Sequence, residues 1–69
     1  MRYAVIIEQA ENNFSAYVPD LPGCIATGLT VEEVTQNIQE AVSFHLDGLR
    51  ADGMVIPQPS SQVAYVNAA

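Results

Sequence analysis

Apolar and polar positions divide the chain into short alternating segments followed by one long periodic segment. In an extended chain, successive side chains of Tyr3–Ile7, Phe14–Val18 and Cys24–Thr27 would point to opposite faces and place apolar residues on each. Each segment is rich in β-branched or aromatic residues. This pattern predicts three short strands. The connection Gln9–Asn13 is short and polar, which is typical of a hairpin turn between the first two strands.

A helical repeat occupies the middle of the chain. Thr30, followed three residues later by Glu33, forms a capping box that predicts a helix beginning at Val31. Gly53 suits the left-handed residue that ends a helix, so we expect the helix to stop near Asp52. The apolar side of this helix is predicted to be its buried face. Its members recur every three, four or seven positions: Val31, Val34, Ile38, Ala41, Val42, His45 and Leu49.

Proline-containing segments connect these elements. Leu21–Cys24 has proline second and glycine third, which predicts a type II turn. Ile56–Pro59 is expected to be stiff and extended, leading to a fourth strand at Gln62–Val66. The predicted order is β-β-β-α-β in a single α+β domain over residues 1–69, with one long helix packed on one face of a small antiparallel-type sheet.

One helix covers only one face of such a sheet, and the other face also carries apolar side chains. A chain of 69 residues is at the lower limit of independent stability, and its single cysteine rules out an internal disulfide. Another polypeptide is therefore expected to complete the fold. We predict self-association as a dimer or tetramer.

The charge balance narrows the choice of further partners. Eight acidic residues stand against two basic ones, giving a formal net charge of −6. Direct nucleic-acid binding is disfavoured because it depends on lysine and arginine, whereas a basic protein partner is favoured. No apolar run reaches the roughly 20 residues of a membrane span, and the N-terminus lacks a signal-peptide core, so a cytoplasmic location is expected.

Few residues are candidates for chemistry. His45 lies on the apolar side of the helix and Cys24 has no cation nearby in the sequence, so both are interpreted as packing residues. Glu8 and Asp20 are the acids without an evident local role. They could form a vestigial metal site of a nuclease, or they could present charge to a partner. We expect no catalytic residues, no metal and no cofactor.

Several motifs together resemble one family. The stretch YVPDLPGCIATGLTVEEVTQNIQEAV, with FHLDGL and DGMVIPQP after it, is similar to the N-terminal domain of HicB-type antitoxins, and the resemblance extends from residue 3 to about residue 66. It implies a partial RNase H-like domain that oligomerises and neutralises a small, basic HicA-type toxin that cleaves mRNA. The resemblance does not bring the nuclease's full set of carboxylates.

Under this reading the chain is an interaction protein rather than an enzyme. We predict that Glu8, Tyr17, Asp20 and Leu21 contact the toxin. Family members often continue into a DNA-binding domain, which is not expected here. Two alternatives remain at this point: an oligomerisation or small-ligand module without a toxin, and a vestigial metal-dependent nuclease that uses Glu8 and Asp20.

Overall fold

Three strands and one helix form the regular structure of the protein. The computed structural model describes residues 1–69. It confirms the α+β class and the β-β-β-α order predicted for the first three quarters of the chain. The elements are β1 (Ile6–Gln9), β2 (Phe14–Tyr17), β3 (Ile25–Gly28) and α1 (Val31–Ala51).

The sheet is antiparallel with β2 in the centre and β1 and β3 at its edges. Tyr17 lies opposite Ile6 on one side and opposite Ile25 on the other. Strand β1 begins three residues later than the alternation predicts. Continuing the register would place Ala4 opposite Pro19, and proline has no N–H to donate to the ladder.

The turn between β2 and β3 is the type II turn that the sequence predicts. Gly23 has φ 83°, and the Cys24 N–H donates to the Leu21 carbonyl at 3.1 Å. A second hydrogen bond, from the Val18 N–H to the Cys24 carbonyl at 3.2 Å, joins the two ends of the loop that contains this turn. The backbone thus returns sharply from β2 into β3.

Both ends of α1 carry the predicted caps. The Thr30 hydroxyl oxygen accepts the Glu33 N–H at 3.0 Å at the first turn. At the far end Gly53 has φ 67° and donates to the Arg50 carbonyl, while the Met54 N–H donates to the Leu49 carbonyl at 2.9 Å. This pair of bonds is a Schellman motif.

The core lies between α1 and one face of the sheet, mainly against β3 and β2. Leu46 belongs to it although the predicted helix stripe omits that residue, whereas Val31 of the stripe is 45% exposed. The core residues are Ala16, Val18, Leu21, Cys24, Val34, Ile38 and Leu46.

The predicted fourth strand at Gln62–Val66 does not form, since no helix or strand follows α1. Residues 62–69, here called the tail, are all exposed. The Cα radius of gyration is 13.4 Å. A compact domain of this length would have about 11 Å. The tail therefore leaves the sheet with three strands, and its base borders Arg2, Tyr3 and Ala4 without joining β1.

Candidate partner-binding surface

The sheet face turned away from α1 carries a row of apolar side chains. Ile6, Tyr17 and Ile25 lie directly opposite one another across the three strands. Tyr17 is 40% exposed and Ile25 is 71% exposed. Aromatic and β-branched side chains in one continuous row form the kind of surface that a partner protein buries.

A polar row runs beside the apolar one. Glu8 lies opposite Ser15, which lies opposite Thr27. Because side chains alternate between faces along a strand, Glu8 and Ile6 point to the same side of the sheet. We call these two rows together the outer sheet face: Ile6, Glu8, Ser15, Tyr17, Ile25 and Thr27.

The structure therefore brings together two of the four predicted contact residues. Glu8 and Tyr17 both lie on the outer sheet face, and both are exposed. Ile25, which completes the apolar row, was not among the predicted contact residues. Its position could have been found from the strand alternation, because Ile25 is out of phase with the buried Cys24.

Asp20 lies in the loop between β2 and β3 and has a structural partner. Its Oδ2 accepts the N–H groups of Ser60 at 2.9 Å and Ser61 at 3.0 Å, and its Oδ1 accepts the hydroxyls of the same serines at 3.1 and 2.8 Å. We call this arrangement the Asp20 clasp. The Ser61 N–H and then the Ser60 N–H, with help from the hydroxyls, lower the pKa of Asp20 from 3.8 to about 2.

The clasp is expected to hold down to strong acid. The folded-state pKa of Asp20 lies below its ordinary value, so the stabilisation is fully present above pH 3.8 and is lost as the pH falls through about 2. Carbon-detected NMR of the Asp20 carboxyl should show this titration, with the Ser60 and Ser61 amide shifts following it. Asp20→Asn should abolish the amide shifts' pH dependence. A midpoint of 3.8 for Asp20 would contradict the clasp.

Leu21 occupies a different environment from the one predicted. Its side chain is 0% exposed and packs in the core with Val34 and Ile38. Because Leu21 presents no side-chain surface here, its contact with a partner stays a prediction, one that requires the β2–β3 loop to open. The preceding and following residues turn the chain so sharply that Leu21 points inward while Pro22 stays exposed.

The chemically reactive residues are placed for packing. Cys24 is buried, and burial raises the pKa of its thiol. His45 is half-buried on α1, and its imidazole makes no hydrogen bond within the chain. No group of three or more histidine, cysteine, aspartate or glutamate side chains is positioned to hold a metal ion. Both Asp20 oxygens are already engaged by the serines, so the arrangement does not build the site that a nuclease would use.

A second exposed apolar position lies beside the β3 edge of the sheet. Phe44 on α1 is 83% exposed and borders a shallow groove with Ile25 and Leu49. The sequence carried a signal for it, since Phe44 falls outside the periodic stripe of the helix. The apolar surface thus continues from the outer sheet face around the β3 edge.

Comparison with known proteins places the chain in a family. The model of the HicB-like antitoxins of bacterial toxin–antitoxin systems matches residues 3–69. The chain therefore belongs to the HicB-like antitoxin family, which confirms the resemblance found in the sequence.

Three similar proteins illustrate the relationship. A UPF0150 protein of Helicobacter pylori is 38% identical over 84% of this chain and 81% of its own length. A Haemophilus phage HP1 protein, described as an uncharacterized 14.9 kDa protein in the rep-hol intergenic region, is 36% identical over 97% of this chain, which spans only 50% of that protein. A solved chain of a HicA3 and HicB3 toxin-antitoxin complex has a TM-score of 0.75 and 30% identity, covering 87% of this chain and 70% of that one.

Helix α1 can be compared with a helix that spans a membrane. Helix α1 is the only helix. It does not combine the length and apolar character that crossing a membrane requires.

Proposed function

We propose that this protein is an antitoxin that binds and neutralises a basic HicA-type toxin ribonuclease through its outer sheet face. The observation that carries the proposal is the apolar row Ile6, Tyr17 and Ile25, in which Tyr17 and Ile25 are exposed. The row is flanked by Glu8 and lies on a chain with a net charge of −6. Membership of the HicB-like family and the similarity to a chain from a HicA3 and HicB3 complex support it.

The two rows of the outer sheet face supply different parts of the binding free energy. The apolar row provides a central area that becomes dehydrated on contact, and Tyr17 is the type of residue that anchors protein interfaces. Acidic charge accelerates the encounter with a positively charged partner and orients it. A toxin surface that binds RNA phosphates is positively charged, so an acidic protein is suited to cover it.

Two single substitutions test the face. Tyr17→Ala and Glu8→Lys should each raise the antitoxin concentration that half-inhibits RNA cleavage by about tenfold or more, equivalent to roughly 1.4 kcal/mol of binding free energy. The measurement is RNA cleavage by a purified HicA-type toxin from the same genome, titrated with each variant. Binding measured in parallel by calorimetry separates loss of affinity from loss of inhibition.

Glu40→Lys is the matched control for charge. Glu40 is exposed on the solvent side of α1, away from the outer sheet face. Glu8→Lys and Glu40→Lys both add two positive units to the net charge of −6, giving −4. Equal weakening by the two variants would show that only net charge matters and would overturn the assignment of the face. Undiminished cleavage at excess wild-type protein would overturn the proposed function itself.

A further inference from the structure

Strand β1 has an edge that no other part of the chain covers. In the order β1-β2-β3, β1 pairs only with β2, so the N–H and C=O groups on its other side have no strand partner. Such an edge can accept an additional strand. Beside it, α1 packs mainly over β3 and β2, which leaves an open groove of about 370 Å³ between β1 and α1. The apolar residues lining this groove include Tyr3, Val5, Ile7, Ile38 and Val42.

The tail has the complementary properties. Residues 62–69 make no hydrogen bonds to the rest of the chain, although the segment before them is fixed by the Asp20 clasp. Val63 is 50% exposed, Tyr65 94% and Val66 89%. In an extended conformation Val63 and Tyr65 point to one side and Ala64 and Val66 to the other. The tail therefore has the sequence of a strand but pairs with no strand of its own copy.

Charge distinguishes between the possible occupants of the β1 edge. The tail, QVAYVNAA, contains no charged side chain, and the groove residues include a single one, Arg2. A basic toxin would find no carboxylate there to attract it. Two copies of a chain with net charge −6 repel each other, and they approach most favourably where acidic side chains are absent. The uncharged tail, and a groove whose one charged side chain is basic, therefore fit a second copy of this chain.

We propose that residues Gln62–Val66 of one copy add as a β-strand to the free edge of β1 in a second copy, and that the exchange is reciprocal. Within a single copy the base of the tail borders a shallow pocket with Arg2, Tyr3 and Ala4, the residues before β1, and the tail makes no backbone hydrogen bond to them or to β1. A reciprocal exchange caps both β1 edges, places Val63 and Tyr65 against the groove, and closes the assembly as a symmetric dimer.

The proposal is tested on the 69-residue chain without any toxin. Sedimentation velocity over a concentration series should show a dimer. Ala64→Pro removes an N–H donor in the middle of the exchanged segment and should raise the dimer dissociation constant by about tenfold or more. Ala68→Pro, beyond the proposed strand, is the matched control and should leave that constant unchanged. Both positions are exposed, so neither substitution disturbs the core.

Mixed isotope labelling identifies which copy receives the tail. In a mixture of labelled and unlabelled chains, isotope-filtered NOEs should connect Tyr65 of one copy with Ile7 of the other. Three results would overturn the proposal: a monomer at micromolar concentration, NOEs confined within one chain, or a dimer unaffected by Ala64→Pro. Each of these leaves the toxin-inhibition assay able to succeed or fail independently.

Discussion

Gly28→Ala is expected to destabilise the protein by about 2 to 3 kcal/mol, in the range of overpacked cores. A Cβ at this position would lie 2.6 Å from the Val34 N, 2.9 Å from the Val34 Cα and 3.1 Å from the Glu33 C. These are backbone atoms of the first helical turn, so no side chain can rotate away to relieve the contact. Strand β3 and α1 would have to separate at the point where Val34 is fully buried.

The loss would be large for a chain of this size. A domain of 69 residues has a total stability on the order of 3 to 10 kcal/mol, so the substitution removes a substantial part of it. The melting temperature should fall by roughly 10 °C or more. Urea denaturation followed by circular dichroism measures the free energy of unfolding, and the thermal midpoint provides an independent value.

Glycine to alanine at position 48 is a control whose expected effect on stability has the opposite sign. Gly48 lies within α1, and a Cβ there meets nothing within 4 Å. Gly48→Ala should therefore stabilise the protein by about 0.5 to 1 kcal/mol, because alanine is the better helix former. If Gly28→Ala and Gly48→Ala shifted the urea midpoint in the same direction, the close approach of β3 to α1 would not be the reason for the glycine.

The sequence predicts the parts of this fold that depend on neighbouring residues. The Thr30 cap, the Gly53 stop and the type II turn at Gly23 each require a particular residue at a fixed offset, and the structure contains all three. The extent of α1 follows from the first two. These signals are local, so a single sequence is sufficient to read them.

Features that depend on distant residues could not be read in this way. Asp20 has no local role in the sequence because its partners lie 40 and 41 positions away, at Ser60 and Ser61. The strand-like pattern of Gln62–Val66 describes what the segment can form, but whether it pairs depends on the path of the chain after α1, and within one copy it does not join the sheet. The closeness of Gly28 to Val34 depends on the angle at which α1 crosses the sheet, which alternation and helical periodicity do not specify.

The candidate binding face also combines features set by neighbouring residues with features set by distant ones. Strand alternation places Glu8 and Tyr17 on exposed positions, and the paired register adds that Ile6, Tyr17 and Ile25 form one row. Leu21 was predicted to contact the toxin, yet its side chain is buried. Here the loop folds back on the sheet, since the Leu21 N–H donates to the Val18 carbonyl at 3.1 Å.

Leu21→Ala is expected to lower the free energy of unfolding by about 2 to 5 kcal/mol, the range for truncating a fully buried leucine. The side chain is 0% exposed and lies in the cluster that joins the β2–β3 loop to α1. Its removal leaves a cavity between the β2–β3 loop and α1, and the remaining core side chains hold both elements in place, so neither can easily move in to fill it. Chemical denaturation should show a lower midpoint.

Leu29→Ala is the matched control, because Leu29 is 71% exposed and the same atoms are removed. Its effect on stability should stay within about 0.5 kcal/mol. Comparing the two variants also separates a core role for Leu21 from a contact role. A core residue reduces toxin inhibition only to the extent that the variant unfolds, so cooling the assay should restore inhibition. An unchanged denaturation midpoint together with lost inhibition would instead return Leu21 to the binding surface, and would require the β2–β3 loop to open when the partner binds.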